Sequence, residues 1–214
     1  MLDQALAVAA PWLAPAFVVW GSAITWLEIV AVALSIAMVW CNLRVNVTGW
    51  PLAIVASALY GVLFAANRLY GEATLQLFFI VVSLWGWWQW LRGRGGDGQP
   101  LRVHRMSTAQ IGWVGGLTLA AWPLLALLLH HYTDSDVPAL DALPTAGSVA
   151  GQFLLGRKLI ENWLVWLAVN VFSVGLFAFK GLWLTAALYA AFAALSVAGW
   201  RAWRARLPAG AVAA

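Results

Sequence analysis

The sequence predicts an all-α membrane protein in which two parallel three-helix repeats are joined by one linker helix. Three observations carry this. Of the 214 residues 64% are hydrophobic and only 9% are charged, against about 25% charged in a soluble domain. Most apolar runs are about 17–21 residues long, the length a helix needs to cross a hydrocarbon core about 30 Å thick. The chain also resembles itself at an offset of 113 residues, with thirteen ungapped identities between positions 44 and 92. They include Arg44/Arg157, Trp50/Trp163, Leu63/Leu176, Phe79/Phe192, Ser83/Ser196, Gly86/Gly199, Trp87/Trp200 and Trp90/Trp203, and the offset continues upstream in Leu27/Leu140 and Glu28/Asp141. Only helices or closed barrels satisfy the backbone in lipid, and the alternating ten-residue segments of a barrel are absent.

Taken in order, residues 5–20 are apolar but broken by Pro11 and Pro15. They suit an extra crossing, an interfacial helix or a lead-in. Seven spans follow, at about 24–43, 50–66, 74–92, 110–130, 139–156, 160–179 and 182–203. The fifth contains Asp141, Pro144 and Gln152 and is assigned through the duplication. The tail LPAGAVAA reads as unstructured. One membrane domain is expected over 1–214: an N-terminal segment 1–22, repeat one 23–93, a linker helix 108–131 and repeat two 137–205. Three spans are an odd number, so one intervening crossing makes the repeats parallel, the arrangement of SWEET-type transporters.

Charge orients the chain. Ten basic residues fall on one side of the spans and two, Arg68 and Lys180, on the other. This bias places the C-terminus and the loop between spans three and four in the cytoplasm. The net charge of +4 is scattered among short loops and is no nucleic-acid footprint. A lone Cys41 gives no disulfide framework, and the N-terminus lacks the basic region of a cleaved signal.

No enzyme motif appears. His130 and His131 are adjacent rather than four apart, His104 lies in a loop, and HExxH, GxSxG, Walker and CxxC patterns are missing. No catalytic residue, metal ligand or cofactor is expected. Polar and aromatic residues inside the spans carry the functional reading, because polar groups at membrane depth face a cavity or a partner helix. Trp163, Trp166 and Asn170 share one helix face, with Asn162 just before them. Gln76, Phe79, Ser83 and Trp87 form a second stripe, and Tyr60, Trp50 and Tyr189 (the repeat mate of Gln76) add to the set. Amides donate and accept at once, which suits an uncharged ribose or carboxamide. Indole faces suit a flat or cationic ring. The competing roles are structural: Trp20, Trp88, Trp90, Trp113, Trp200 and Trp203 read as interfacial anchors, and Ser83/Ser196 and Gly86/Gly199 as close-packing positions. Glu28 and Asp141 read as solvated acids at span ends, with ion or proton coupling as the alternative.

The runs WPLAIVASALYGVLFAANRLYGEATLQLFFIVVSLWGWWQW and ENWLVWLAVNVFSVGLFAFKGLWLTAALYAAF resemble the Pnu-type vitamin transporters, best known as bacterial nicotinamide riboside transporters. The motifs are LQ-F at Leu75–Phe78, GW-W-W at Gly86–Trp90 and ENW--W at Glu161–Trp166. The resemblance covers roughly 25–204. It implies a three-plus-one-plus-three helical core, a bacterial inner-membrane location and a homotrimer. It further implies facilitated diffusion of an unphosphorylated vitamin that a cytoplasmic vitamin kinase then traps. The substrate implied is nicotinamide riboside, with thiamine or riboflavin as alternatives; a non-transporting scaffold or sensor is the alternative of another class. Gln76, Asn162, Trp163, Trp166 and Asn170 fall at the family's positions. One departure is that Gly49, where many relatives carry Asn, precedes Trp50 and removes an amide. The partners expected are thus the vitamin and the lipid bilayer, with the site between the repeats.

Overall fold

The computed structural model describes residues 9–19, 22–67, 70–96, 98–132, 137–179 and 183–207. Among them are seven helices: α1 Trp26–Leu43, α2 Gly49–Ala66, α3 Tyr70–Arg92, α4 Thr108–Tyr132, α5 Pro138–Gly156, α6 Asn162–Phe179 and α7 Trp183–Arg204. Each lies within a few residues of the span expected from sequence. α1, α2, α4 and α6 are long and apolar enough to cross a membrane. The other three carry more polar side chains, such as Gln76 and Gln89 in α3, Asp141 and Gln152 in α5, and Arg201 and Arg204 in α7. Contacts divide the chain into two compact units, Met1–Trp87 and Trp88–Ala214.

The N-terminal segment departs from an all-α reading. Strands β1 Pro15–Val19 and β2 Ser22–Thr25 pair antiparallel. Pro11 and Pro15 remove helical donors, and Val18, Val19 and Ile24 favour the pleated state. The described part of 5–20 is therefore no spanning helix; residues 5–8 and 20, like the tail from 208, lie outside the described residues. β2 leads into α1 through Thr25, whose side chain accepts the Glu28 N–H at 3.2 Å. Glu28 then sits in the first turn of α1 and Asp141 in that of α5, where the helix dipole favours an acid.

The turns joining α1 to α2 and α5 to α6 share their closing bonds at the offset of 113. Arg44 (φ −84°, ψ 0°) and Arg157 (φ −85°, ψ 2°) cap the first helix of each pair. Val45 and Lys158 follow at φ 56° and 55°, a region that residues with side chains seldom enter. The Asn46 N–H donates to Cys41 O, and the Leu159 N–H to Leu154 O, both at 2.9 Å. This six-to-one bond is the Schellman closure that a left-handed residue allows. Gly49 and Asn162 then donate to Asn46 O and Leu159 O, both at 3.1 Å. The duplicated sequence folds a duplicated turn.

Side chains fill the two turns differently. A Cβ on Gly49 would collide with Asn42 Oδ1 and lie 3.2 Å from Asn42 Cγ, and Asn42 is buried. At the matching places stand Asn162 and Leu155. The amide missing at Gly49 is thus replaced in space by one from α1. Gly49→Asn alone is expected to overpack this turn and cost about 1–3 kcal/mol. Pairing it with Asn42→Leu should recover most of that loss. Thermal unfolding of the three purified variants checks this, and a double variant no better than Gly49→Asn refutes it.

Candidate functional site

The second unit places Asn162, Trp163 and Trp166 on the first turns of α6. The turn bond from Asn162 to Leu159 holds the helix head, and the Asn162 side-chain Nδ2 also donates to Leu159 O at 2.6 Å. Asn162 is 0% exposed. Its Oδ1, and the Trp163 Nε1, are buried with no hydrogen-bond partner among the described residues. A buried acceptor and a buried donor on consecutive residues, both without a partner among the described residues, are costly unless something else completes them.

Trp163 is 3% exposed. Its bicycle lies against Gly199 of α7, where an added Cβ would overlap Cδ2 and Cε3. Its other neighbour is Trp203, edge on at 5.6 Å and 86°. Trp163 is therefore a wall whose polar edge is the part left over. Trp166, one turn on, is only half-buried. Its Cε2, Nε1 and Cδ2 come 3.0, 3.1 and 3.3 Å from where a Gly151 Cβ would sit, so one face of its indole rests on α5 and the other is left for a ligand.

Asn170 continues the same face and is buried, but its Nδ2 donates to Ser196 Oγ on α7 at 3.2 Å. The Ser196 hydroxyl in turn donates to Phe192 O at 2.8 Å. This amide is engaged in helix packing. Tyr189 stacks on Phe177 at 5.1 Å and 28°. It lies seven residues before Ser196, about 10 Å along the helix, among aromatic rings rather than amides.

The first unit holds the other three candidates. Trp50, 1% exposed, faces Gly86 of α3 as Trp163 faces Gly199: a Cβ on Gly86 would overlap its Cη2 and Cζ3. Tyr60 stacks on Phe64 at 5.9 Å and 22°. Gln76 is half-buried, its Cβ 3.5 Å from a Cβ placed on Gly61. Gln76 and Gly86 are ten residues apart, about 15 Å of helix. Trp50 and Gln76 are therefore not neighbours.

Two tryptophans read as anchors belong elsewhere. Trp88 and Trp113 are exposed, but Trp203 is 0% exposed against Trp163. Trp90 sits 6.2 Å from Trp203 and donates Nε1–H to Leu155 O at 3.1 Å. A span-end position fits core and interface equally well, so sequence alone did not separate them. The shared offset of Trp90 and Trp203 was the available signal. The described residues contain no cluster of three or more potential metal-ligating side chains.

Helices long and apolar enough to cross a bilayer, with buried amides and indoles among them, define an integral membrane protein. A family profile described as nicotinamide mononucleotide transporter matches residues 25–205, and the chain belongs to that family. It is a membrane transporter and not an enzyme. The nicotinamide riboside transporter PnuC of Escherichia coli (strain K12) is 22% identical over 207 residues, covering 86% of this chain and 87% of the relative. The riboflavin/roseoflavin transporter RibM of Streptomyces davaonensis is 28% identical over 197 residues, covering 90% and 91%. The crystal structure of the vitamin B3 transporter PnuC shares the fold, with TM-score 0.69, 23% identity and coverage of 84% and 81%.

Proposed function

We propose that this protein admits nicotinamide riboside to the bacterial cytoplasm by facilitated diffusion. The observation that carries this reading is the pair of buried, uncompleted polar atoms at the head of α6. The Asn162 carbonyl oxygen seeks a donor and the Trp163 indole N–H an acceptor, which a carboxamide or a ribose diol supplies together. Trp166 presents the neighbouring ring face for a cationic pyridinium. Gln76, Asn170, Tyr189, Tyr60 and Trp50 are secondary candidates, of which Asn170 acts by holding α6 to α7. Among the described residues no Arg or Lys lies inside a helix except in the last turns of α3 and α7. A phosphate would find no cation at membrane depth, so the reading is the riboside and not the mononucleotide.

The architecture that goes with it is two parallel three-helix repeats around α4, seven crossings of the inner membrane and a cytoplasmic C-terminus. Transport proceeds by rocking of one repeat, in a homotrimer whose product a cytoplasmic kinase traps. Riboflavin is the second reading, favoured by the 28% identity to a riboflavin/roseoflavin transporter. The test is uptake into proteoliposomes of labelled nicotinamide riboside, riboflavin, thiamine and nicotinamide mononucleotide, without ATP or an ion gradient. Saturable entry of the riboside, unaffected by excess mononucleotide, is expected. Preference for riboflavin or thiamine would replace the substrate, and no entry of any of the four would overturn the transport reading.

A further inference from the structure

The segment between α3 and α4 is laid across the turn that precedes α6. Leu101 and Val103 are buried. The His104 N–H donates to Lys158 O at 3.1 Å, and the Ile160 N–H returns a bond to His104 O at 3.0 Å. Lys158 Nζ donates to Leu101 O at 2.9 Å and sits 4.9 Å from the centre of the Trp90 ring. Burial pulls the Lys158 pKa below the usual lysine value. Met106 closes the arrangement by donating its N–H to Glu161 Oε2 at 3.1 Å.

Glu161 stands at a junction. Its backbone carbonyl accepts the first N–H bonds of α6, from Leu164 at 3.0 Å and Val165 at 3.1 Å. Its carboxylate reaches away from its own helix to Met106. Directly after Met106, the Ser107 N–H donates to Gln110 Oε1 and the Gln110 N–H to Ser107 Oγ, a reciprocal side-chain cap that starts α4. One carboxylate thus ties the heads of two helices, and the next two residues in the chain are Asn162 and Trp163. The matching turn in the first unit has Val45 in place of Lys158 and Thr48 in place of Glu161, and so lacks both charged ties.

We propose that Glu161 is a positioning residue: by binding the Met106 N–H it fixes the head of α6, and with it where Asn162 and Trp163 present their polar atoms. It touches no substrate itself. The inference rests on the binding role proposed for Asn162 and Trp163. Preorganised sites depend on such supports, since small displacements of the contacting groups lose affinity.

The test uses full-length protein in lipid nanodiscs and three single variants: Glu161→Gln, which keeps an acceptor, Glu161→Leu, which removes it, and Met106→Pro, which removes the donor and leaves Glu161 intact. The first readout needs no ligand. Backbone hydrogen exchange over 159–165 is expected to quicken roughly tenfold in Glu161→Leu and Met106→Pro, equivalent to about 1.4 kcal/mol. It should be near wild type in Glu161→Gln. Exchange over the matching residues 46–52 should not change. The double variant Glu161→Leu/Met106→Pro should be no worse than either single one, as expected when both changes remove one bond. The second readout is nicotinamide riboside affinity, expected to fall roughly tenfold in the same two variants and to be kept by Glu161→Gln. Unchanged exchange in Glu161→Leu, equal quickening at 46–52, or additive effects in the double variant would overturn the positioning role. Wild-type protein that binds no riboside would sink the functional reading instead, and the exchange result would still decide the role of Glu161.

Discussion

Replacing Trp166 with alanine is expected to weaken nicotinamide riboside binding roughly 30- to 100-fold, about 2–2.7 kcal/mol. A desolvated cation over an indole contributes about 2 kcal/mol or more, and a base stacked on an aromatic ring about 1–3 kcal/mol. Trp166 rather than Trp163 carries this prediction because it is the half-buried member of the pair. Trp163 has one face on Gly199 and an edge contact with Trp203. The two alanine variants should therefore separate. Trp166→Ala should lose affinity with a modest drop in unfolding temperature, and Trp166→Phe should keep most of the affinity. Trp163→Ala should cost stability on the scale of a buried tryptophan, about 3–5 kcal/mol. Titration of each purified variant with the riboside, alongside thermal unfolding, reads both quantities. Wild-type affinity in Trp166→Ala would remove the stacking contact from the proposed function.

The helices were legible because membrane crossing leaves a coarse signal: a long apolar run ended by charge or by a turn residue. Even the fifth, interrupted by Asp141, Pro144 and Gln152, was recovered from its match to the first. The hairpin at Pro15–Thr25 was not read, because a short apolar stretch with two prolines fits a lead-in as well as a strand pair. The segment 101–106 has no periodicity at all, and its binding to the α5–α6 turn runs mostly through backbone groups that any sequence carries. Asn162 and Trp163 are nominated in the sequence by their residue types. Whether each was exposed or walled in depends on α7, which one-dimensional spacing does not report. Asn42 shows the same limit from the other side. Nothing in the sequence singles it out, and only its proximity to Gly49 brings its amide to that turn.

Gly199→Ala is expected to be far more damaging than adding one methyl group in a helix normally is. Alanine is the better helix former by about 0.8–1.0 kcal/mol, so propensity alone predicts a gain. The neighbour reverses the sign. The new Cβ would lie inside contact distance of Cδ2, Cε3 and Cε2 of Trp163. Those atoms belong to a rigid bicycle already confined by Trp203, so the strain moves the helices apart or turns the ring, at a cost of about 1–3 kcal/mol. Turning the ring also displaces its N–H, and riboside affinity should fall with the unfolding temperature. Gly86→Ala should do the same to Trp50 in the first unit. Gly116→Ala and Gly175→Ala serve as opposites, because nothing lies within 4 Å of either added Cβ and both should be neutral or slightly stabilising. A smaller ring partner tests the cause directly: Gly199→Ala combined with Trp163→Leu should regain stability over Gly199→Ala alone while binding stays lost. If Gly199→Ala unfolds at the wild-type temperature, the ring is not held where the geometry puts it. The duplicated glycine–tryptophan pairs would then be sequence relics rather than the contacts that set the helix spacing.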